Sequence, residues 1–379
     1  MPENQKRARV LFVFRRGRKQ RYEMWKQGLG PDDFLYGFPF LDPQRYDVSF
    51  IEGGDRPKNL RAWLWMWLEI GIVRQLQMGF HWPIAWEHAE QIKHADVIVC
   101  TQDSCGLPLA AWKFSGKLKC PLVFFTQGLS DRLESARQRS FIGRWLAGKY
   151  KAYFKNIERV YVLGDGAIDS AKQELELGAS QIQCLHFGVD SRFWSPGEKT
   201  VAGEWVLSVG SDPARDFPTL MQALRDKPMK LVTRLAVSGA GPNVSFEPGL
   251  SDVQLREFYR SSRFVVTPLL DVSQPSGQSA TLQAMACGKA VILTHTRGLW
   301  STALMKHNEN CWLVPPGDVS ALSAAIDHLW AHPEEAERIG RNARKSVEEV
   351  FDSRQFSKKL DQELQTLLAR HAAEGNKDN

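Results

Sequence analysis

Short apolar runs alternate along the chain with longer stretches in which apolar positions recur every three or four residues. That is the rhythm of βα units wound on a parallel sheet. In the first half the runs Val10–Phe14, Val48–Ile51, Val97–Cys100, Leu122–Phe125 and Val160–Leu163 predict strands, each ending near Gly, Asp, Gln or Thr. In the second half the predicted strands are Trp205–Val209, Lys230–Val237, Phe264–Thr267 and Ala290–Thr294. Helices are expected at Phe217–Leu224, Asp252–Arg260, Ala280–Ala286 and Val319–Trp330, the last with a clean apolar face at 321, 322, 325, 326 and 329. The segment Ser195–Glu204 (SPGEKTVAGE) is polar and rich in Pro and Gly, and it separates the two strand-rich blocks as a linker would.

A chain of 379 residues has material for two domains. The expected fold class is α/β, with two doubly wound parallel-sheet domains facing a central cleft. Residues 1–195 form the first and 196–354 the second, and ligands are expected at the strand carboxyl ends. The final residues AAEGNKDN read as a frayed tail.

Composition is that of an ordinary globular protein, 43% apolar and 24% charged, and excludes disordered, fibrous and disulfide-dense classes. Six cysteines (Cys100, Cys105, Cys120, Cys184, Cys287, Cys311) are scattered without CxxC or paired Cys/His spacing, which disfavours zinc. No signal peptide is read, because Met1–Arg9 is polar, and a reducing cytoplasm is the expected location. The longest apolar stretch, Ala62–Val73, is broken by Glu69 and falls short of the roughly 18–20 residues a bilayer span needs.

Neither a P-loop nor a GxGxxG follows the first strand, which argues against a nucleotide hydrolase and a dehydrogenase. Instead the chain reads RRGRKQR, where Gly17 permits a tight turn among Arg15, Arg16, Arg18 and Lys19. Backbone amides beside fixed positive charge suit a pyrophosphate, and a basic surface loop is the plainer alternative.

From Trp205 onward the chain reads WVLSVGSDPARDFPTLMQAL, SGAG, SGQSATLQAMACGKAVILT and NENCWLVPPGDVSALSAAI. In order and spacing these segments resemble the donor-binding domain of the glycosyltransferase family 4 enzymes, which have the GT-B fold of two Rossmann-like domains. Phe187–Gly197 (FGVDSRFWSPG) is similar to that family's domain-crossing region, and the resemblance runs from about residue 155 to 350. It implies an acceptor-binding first domain, a nucleotide-sugar-binding second domain, and a helix at about 355–372 that packs back on the first. The activity it implies is metal-independent transfer of a sugar to an acceptor hydroxyl, of the retaining hexosyltransferase type. A silent sugar-nucleotide or glycan-binding relative and a nucleotide-sugar epimerase on the same fold stay open.

Carried over residue by residue, the resemblance places Gly210 at the end of the first donor-domain strand and Arg215 as the cation that neutralises the leaving diphosphate. Ser211 stands where the family often has a second cation. A surface ion pair of Arg215 with Asp212 or Asp216 is its plainer reading. Of the family's two glutamates eight residues apart, the sugar position is Pro275 and the ribose position Gln283, so both carboxylates are missing. Ser276, Gly277 and Gln278, just ahead of a helix, are the remaining donor-binding candidates; a helix cap is the alternative. Gln127 stands where the family often has His, and Asp103 in TQDS is the expected acceptor-side carboxylate, or else a turn residue. No DxD triplet is present to hold a divalent cation on a diphosphate, and neither metal nor cofactor is expected besides the nucleotide sugar.

The first 195 residues carry 28 Lys and Arg against 21 Asp and Glu, a net of +7, while the rest nets −1; nine of the thirteen tryptophans lie in the first part. Asn59–Gln77 gathers Trp63, Trp65 and Trp67 between Arg56, Lys58, Arg61 and Arg74, and residues 132–159 interleave basic with aromatic side chains. Tryptophan beside basic residues fits a headgroup boundary, so an anionic membrane surface at the inner face of the plasma membrane and a lipid-linked or cell-envelope glycan acceptor are the expected partners. A buried stripe with a solvated charged face is the alternative. No recognition motif supports nucleic acid.

Overall fold

A computed structural model describes residues 7–53, 60–197 and 203–375. Arg56, Lys58, residues 198–202 of the linker and the last four residues of the tail lie outside the described residues.

The first sheet contains β1 (Ala8–Arg15), β2 (Tyr46–Gly53), β3 (Val97–Cys100), β4 (Leu122–Phe125), β5 (Arg159–Val162) and β6 (Ile182–Cys184). Their order is β2-β1-β3-β4-β5-β6, every pairing parallel. The second contains β7 (Val206–Val209), β8 (Met229–Val232), β9 (Val244–Phe246), β10 (Val265–Thr267), β11 (Val291–Thr294) and β12 (Trp312–Val314). Its order is β12-β11-β10-β7-β8-β9, again parallel throughout. Strands β3, β4, β5, β7 and β11 are buried along their whole length, which is why they appear in the sequence as mainly apolar runs instead of alternating ones. This is the two-domain doubly wound architecture read from the sequence.

The three strands that the apolar pattern misses, β6, β9 and β12, are three residues long and lie at sheet edges. The run Lys230–Val237 is strand only to Val232. Ser211 Oγ then accepts a hydrogen bond from Arg234 N at 2.9 Å, and Leu235 and Val237 pack on the second-domain core from outside the sheet.

In each sheet the strand order reverses direction once, between β1 and β3 and between β7 and β10, and the carboxyl ends at those two points face one cleft. Register pairs Arg15 with Gly53 and Val13 with Cys100, so the first-sheet ends lie side by side. After the second domain the chain returns as the helix Ser353–Gly375, whose Leu360, Leu364 and Leu367 are buried. It is tied to the first domain by Arg45–Asp361 at 3.1 Å and Arg159–Glu363 at 3.3 Å, and the Phe356 ring packs edge-to-face with Tyr36 and at a tilt on Phe125.

Candidate active site

The second-domain side is built around one turn. Beyond β7, Gly210 takes φ 149°, a conformation that favours glycine. Asp212 Oδ1 accepts from Ala214 N at 2.7 Å, and Asp216 Oδ1 caps the following helix through Thr219 N at 3.1 Å. Two backbone bonds, Asp216 N to Pro268 O and Leu270 N to Ala214 O, pin the loop to the chain leaving β10. Both carboxylates are therefore spent on folding the turn, and neither accepts a hydrogen bond from the Arg215 guanidinium, although Arg215 N donates to Asp212 O at 3.0 Å.

Arg215 points inward and is buried, with Nε and Nη1 lacking any hydrogen-bond partner. Its guanidinium fills the space between two glycines: a Cβ on Gly210 would overlap it, and one on Gly277 would come within 2.9 Å of Nη1. Burial lowers its pKa to about 10, so it remains a cation at neutral pH. A buried cation with unanswered donors is costly unless an anion completes it.

Facing it is the N-terminus of the helix Gln278–Ala286, begun by Gly277 at φ 73°. Ser276 Oγ is buried there without a partner, and Gln278 Nε2 reaches across to the first domain, donating to Leu163 O at 2.9 Å. A guanidinium, a hydroxyl and a helix N-terminus thus converge beside an interdomain cavity of about 200 Å³, lined among others by Tyr36, Gln127, Asp212, Pro275, Ser276 and Gln278.

On the first-domain side Asp103 and Gln127 come together. Asp103 Oδ2 accepts from Gln127 N at 3.0 Å, while Oδ1 is buried and unpartnered. Burial raises the Asp103 carboxyl to about 6. The Gln127 amide donates to Tyr36 Oη and to Thr101 O, both at 2.6 Å, so its carbonyl oxygen is what it has left for a substrate hydroxyl. Both residues line a second, larger cavity of about 950 Å³ that also receives Arg15, Glu69, His81 and Arg132. Gln127, Asp212 and Gln274 border both cavities. No motif points to His81, which enters from the turn after the helix Leu60–Leu76 and lies 3.7 Å from Glu69.

Three candidates sit elsewhere. Gln283 is turned away from both cavities: its Nε2 donates to Asp33 Oδ2 of the first domain at 2.7 Å. Gly17 caps the helix Arg18–Lys26 and lines neither cavity. Ser211 Oγ is engaged by Arg234 N. Asp165, Cys184 and His186 hold their ligand atoms within 4.8 Å of one another away from both cavities, with His186 Nε2 3.2 Å from Asp165 Oδ2.

Residues 209–332 match the family described as glycosyl transferases group 1. Over 257 residues the chain is 23% identical to an MMP alpha-(1->4)-mannosyltransferase of Mycolicibacterium hassiacum, a match covering 62% of this chain and 61% of that one. The chain thus matches less than two thirds of that relative's length. Among solved structures, a sucrose-phosphate synthase from Thermosynechococcus elongatus superimposes with a TM-score of 0.72 at 18% identity, covering 96% of this chain and 100% of the other. Anabaena HepE, solved with UDP-glucose, gives 0.65 at 14% identity, over 94% and 99%. At such identities the likeness is one of fold, and the fold is that of GT-B glycosyltransferases.

Proposed function

We propose that this chain, a member of the glycosyl transferases group 1, moves a sugar from a nucleotide-diphosphate sugar to an acceptor hydroxyl with retention of configuration and without a metal. Arg215 carries the reading: a buried cation with two unanswered donors, opposite a helix N-terminus, at the strand-order switch of the second sheet. That set matches a diphosphate in charge and geometry, and it supplies the neutralisation that a divalent cation would otherwise give. Ser276 Oγ and the amides beginning the helix add donors to the same anion.

With the diphosphate there, the sugar occupies the smaller cavity, and the acceptor enters from the larger one past Asp103 and Gln127. As the anomeric C–O bond to phosphate breaks, the acceptor oxygen bonds to that carbon and its proton passes to a phosphate oxygen. Gln127 Oε1 and the Asp103 carboxylate orient the hydroxyl. Positioning and diphosphate stabilisation supply most of the rate. HepE, solved with UDP-glucose, supports a nucleotide-sugar donor. A basic, Trp-rich first domain supports a lipid-linked or cell-envelope glycan as acceptor, presented at an anionic membrane. Six free cysteines fit work on the cytoplasmic side.

The test is thermal melting of the purified protein in EDTA against nucleoside diphosphates and their sugars. One nucleotide family is expected to stabilise the fold, by about 2.7 kcal/mol at a hundredfold excess over Kd. Arg215→Ala should abolish that gain while melting no lower than wild type without ligand, since the side chain it removes has no partners to lose. Absence of any shift across the panel would sink the proposal; a shift without turnover on any lipid-linked acceptor would leave a silent nucleotide-sugar binder.

A further inference from the structure

The helix Leu60–Leu76 breaks the usual rule for a surface helix. Its inner face packs normally: Ala62 and Leu76 are buried, and Trp65 donates to Phe80 O at 2.9 Å among Phe80, Trp82 and Trp86. The opposite stripe, where polar residues belong, is Leu60, Trp63, Leu64, Trp67 and Leu68, with Leu60 72% and Trp67 57% exposed. The helix Phe141–Tyr153 packs beside it and repeats the pattern, leaving Phe141 78%, Ile142 55% and Trp145 57% exposed. Ser140 Oγ, which caps the second helix, donates to Gln75 Oε1 of the first at 2.8 Å, and Arg132 Nη1 of the preceding helix Leu129–Arg139 donates to Gln77 O at 3.1 Å.

Glu69 apart, the charges on these helices are all positive. Arg61, Arg74, Arg144 and Lys149 are exposed, Lys149 beside the Trp145 ring at 5.8 Å. Glu69 is the sole acidic residue in either helix, and it faces the larger cavity. Apolar and indole side chains standing out among exposed cations, with no acidic residue among them, match the boundary of an anionic bilayer. Among the described residues no helix is long and apolar enough to cross a membrane, so such a surface lies on the lipid.

We infer that the outer faces of Leu60–Leu76 and Phe141–Tyr153 form one docking surface for an anionic lipid bilayer. Docking there has a consequence for the site. Glu69 and Val73 of the same helix line the larger cavity beside Arg15 and Arg132, so a seated protein holds that cavity close to the lipid plane. An acceptor anchored in the bilayer then enters without leaving it, and in this respect alone the inference rests on the transfer reading above.

The experiment is co-sedimentation of the full chain with phosphatidylcholine vesicles, with and without phosphatidylglycerol. The probe variant is Trp63→Gln/Trp67→Gln/Trp145→Gln, three exposed positions outside both cavities, with thermal melting as the check on folding. Wild type should pellet with the anionic vesicles, less so at high salt, and the triple variant should bind about tenfold more weakly at unchanged Tm. The inference is overturned if wild type stays in solution with both vesicle types, or if the variant binds as well as wild type. It is equally overturned if size exclusion shows a dimer that the variant dissolves, which assigns the face to a second copy of the chain. Nucleotide-sugar melting shifts on the same samples separate the two claims. A shift without vesicle binding removes the docking surface alone, and vesicle binding without a shift removes the transfer reading alone.

Discussion

Asp103 opens a buried helix with one carboxylate oxygen answered by Gln127 N and the other by nothing, and burial raises it to about 6. If its ionised form orients the acceptor hydroxyl, turnover should rise with pH through about 6 and level off above. Asp103→Asn keeps an oxygen for Gln127 N but cannot ionise. It should flatten that acid limb and lower kcat/KM by roughly 10–100-fold; a variant profile that still rises through the same pH removes Asp103 from the step. Residues of this kind were partly legible in the sequence. Arg215 was singled out by the family resemblance, which places a cation shortly after a strand-ending glycine. That it would lack a partner could not be read there, because this depends on Asp212 and Asp216 being consumed by the turn. The direction in which Gln283 turns was hidden for a related reason: its partner Asp33 lies 250 residues away in sequence, and no local pattern announces it.

At the level of elements, the helix Gln278–Ala286 depends on how its first turn is entered. Gly277 sits at φ 73°, where an added Cβ would meet Thr267 Cγ2 at 2.8 Å and Arg215 Nη1 at 2.9 Å. Gly277→Ala therefore strains the backbone and displaces the guanidinium together. The expected cost is about 1–3 kcal/mol of stability and a loss of nucleotide-sugar affinity larger than the drop in Tm alone explains. Calorimetric titration of a variant shown by melting to be folded checks this, and wild-type affinity would refute it. Elements as fully buried as β3 and β4 were readable because burial on both faces leaves a continuous apolar run. The edge strands β6, β9 and β12 were not, because three residues of mixed burial, such as Ile182-Gln183-Cys184, carry too little pattern to separate from loop. Exposed tryptophan on Leu60–Leu76 was visible as composition, but only the packing shows which side of the helix is the outer one.

Across the whole molecule, the two domains and the returning helix meet at a knot of buried carboxylates. Asp33 accepts from Trp194 Nε1 at 2.8 Å, Gln283 Nε2 at 2.7 Å and Asp190 N at 2.8 Å, so it joins both domains and the crossing segment. Asp32 accepts from Ser353 Oγ at 3.0 Å, where the returning helix begins, and leaves Oδ1 unpartnered. The groups facing Asp32 are Asp33 on its own loop, Asp190 on the crossing segment and Arg354 on the returning helix, with Arg21 nearer to Asp33. Burial and the two neighbouring carboxyls raise Asp32 well above the carboxylate range, so it is protonated at neutral pH. In the unfolded chain it ionises at the ordinary value near 3.8. Between those two values the folded state holds a proton that the unfolded state has released, so this group makes stability fall as pH rises, the reverse of an ion-paired aspartate. Asparagine at 32 keeps the acceptor for Ser353 and has no proton to surrender. Asp32→Asn should therefore match wild type near pH 4, gain on it steadily as pH rises from there to about 9, and hold a constant lead above that, by roughly 2–4 °C in Tm for each kcal/mol recovered. Melting curves of both proteins across that range decide it, and two curves running parallel would show that the junction does not hold its carboxyl neutral.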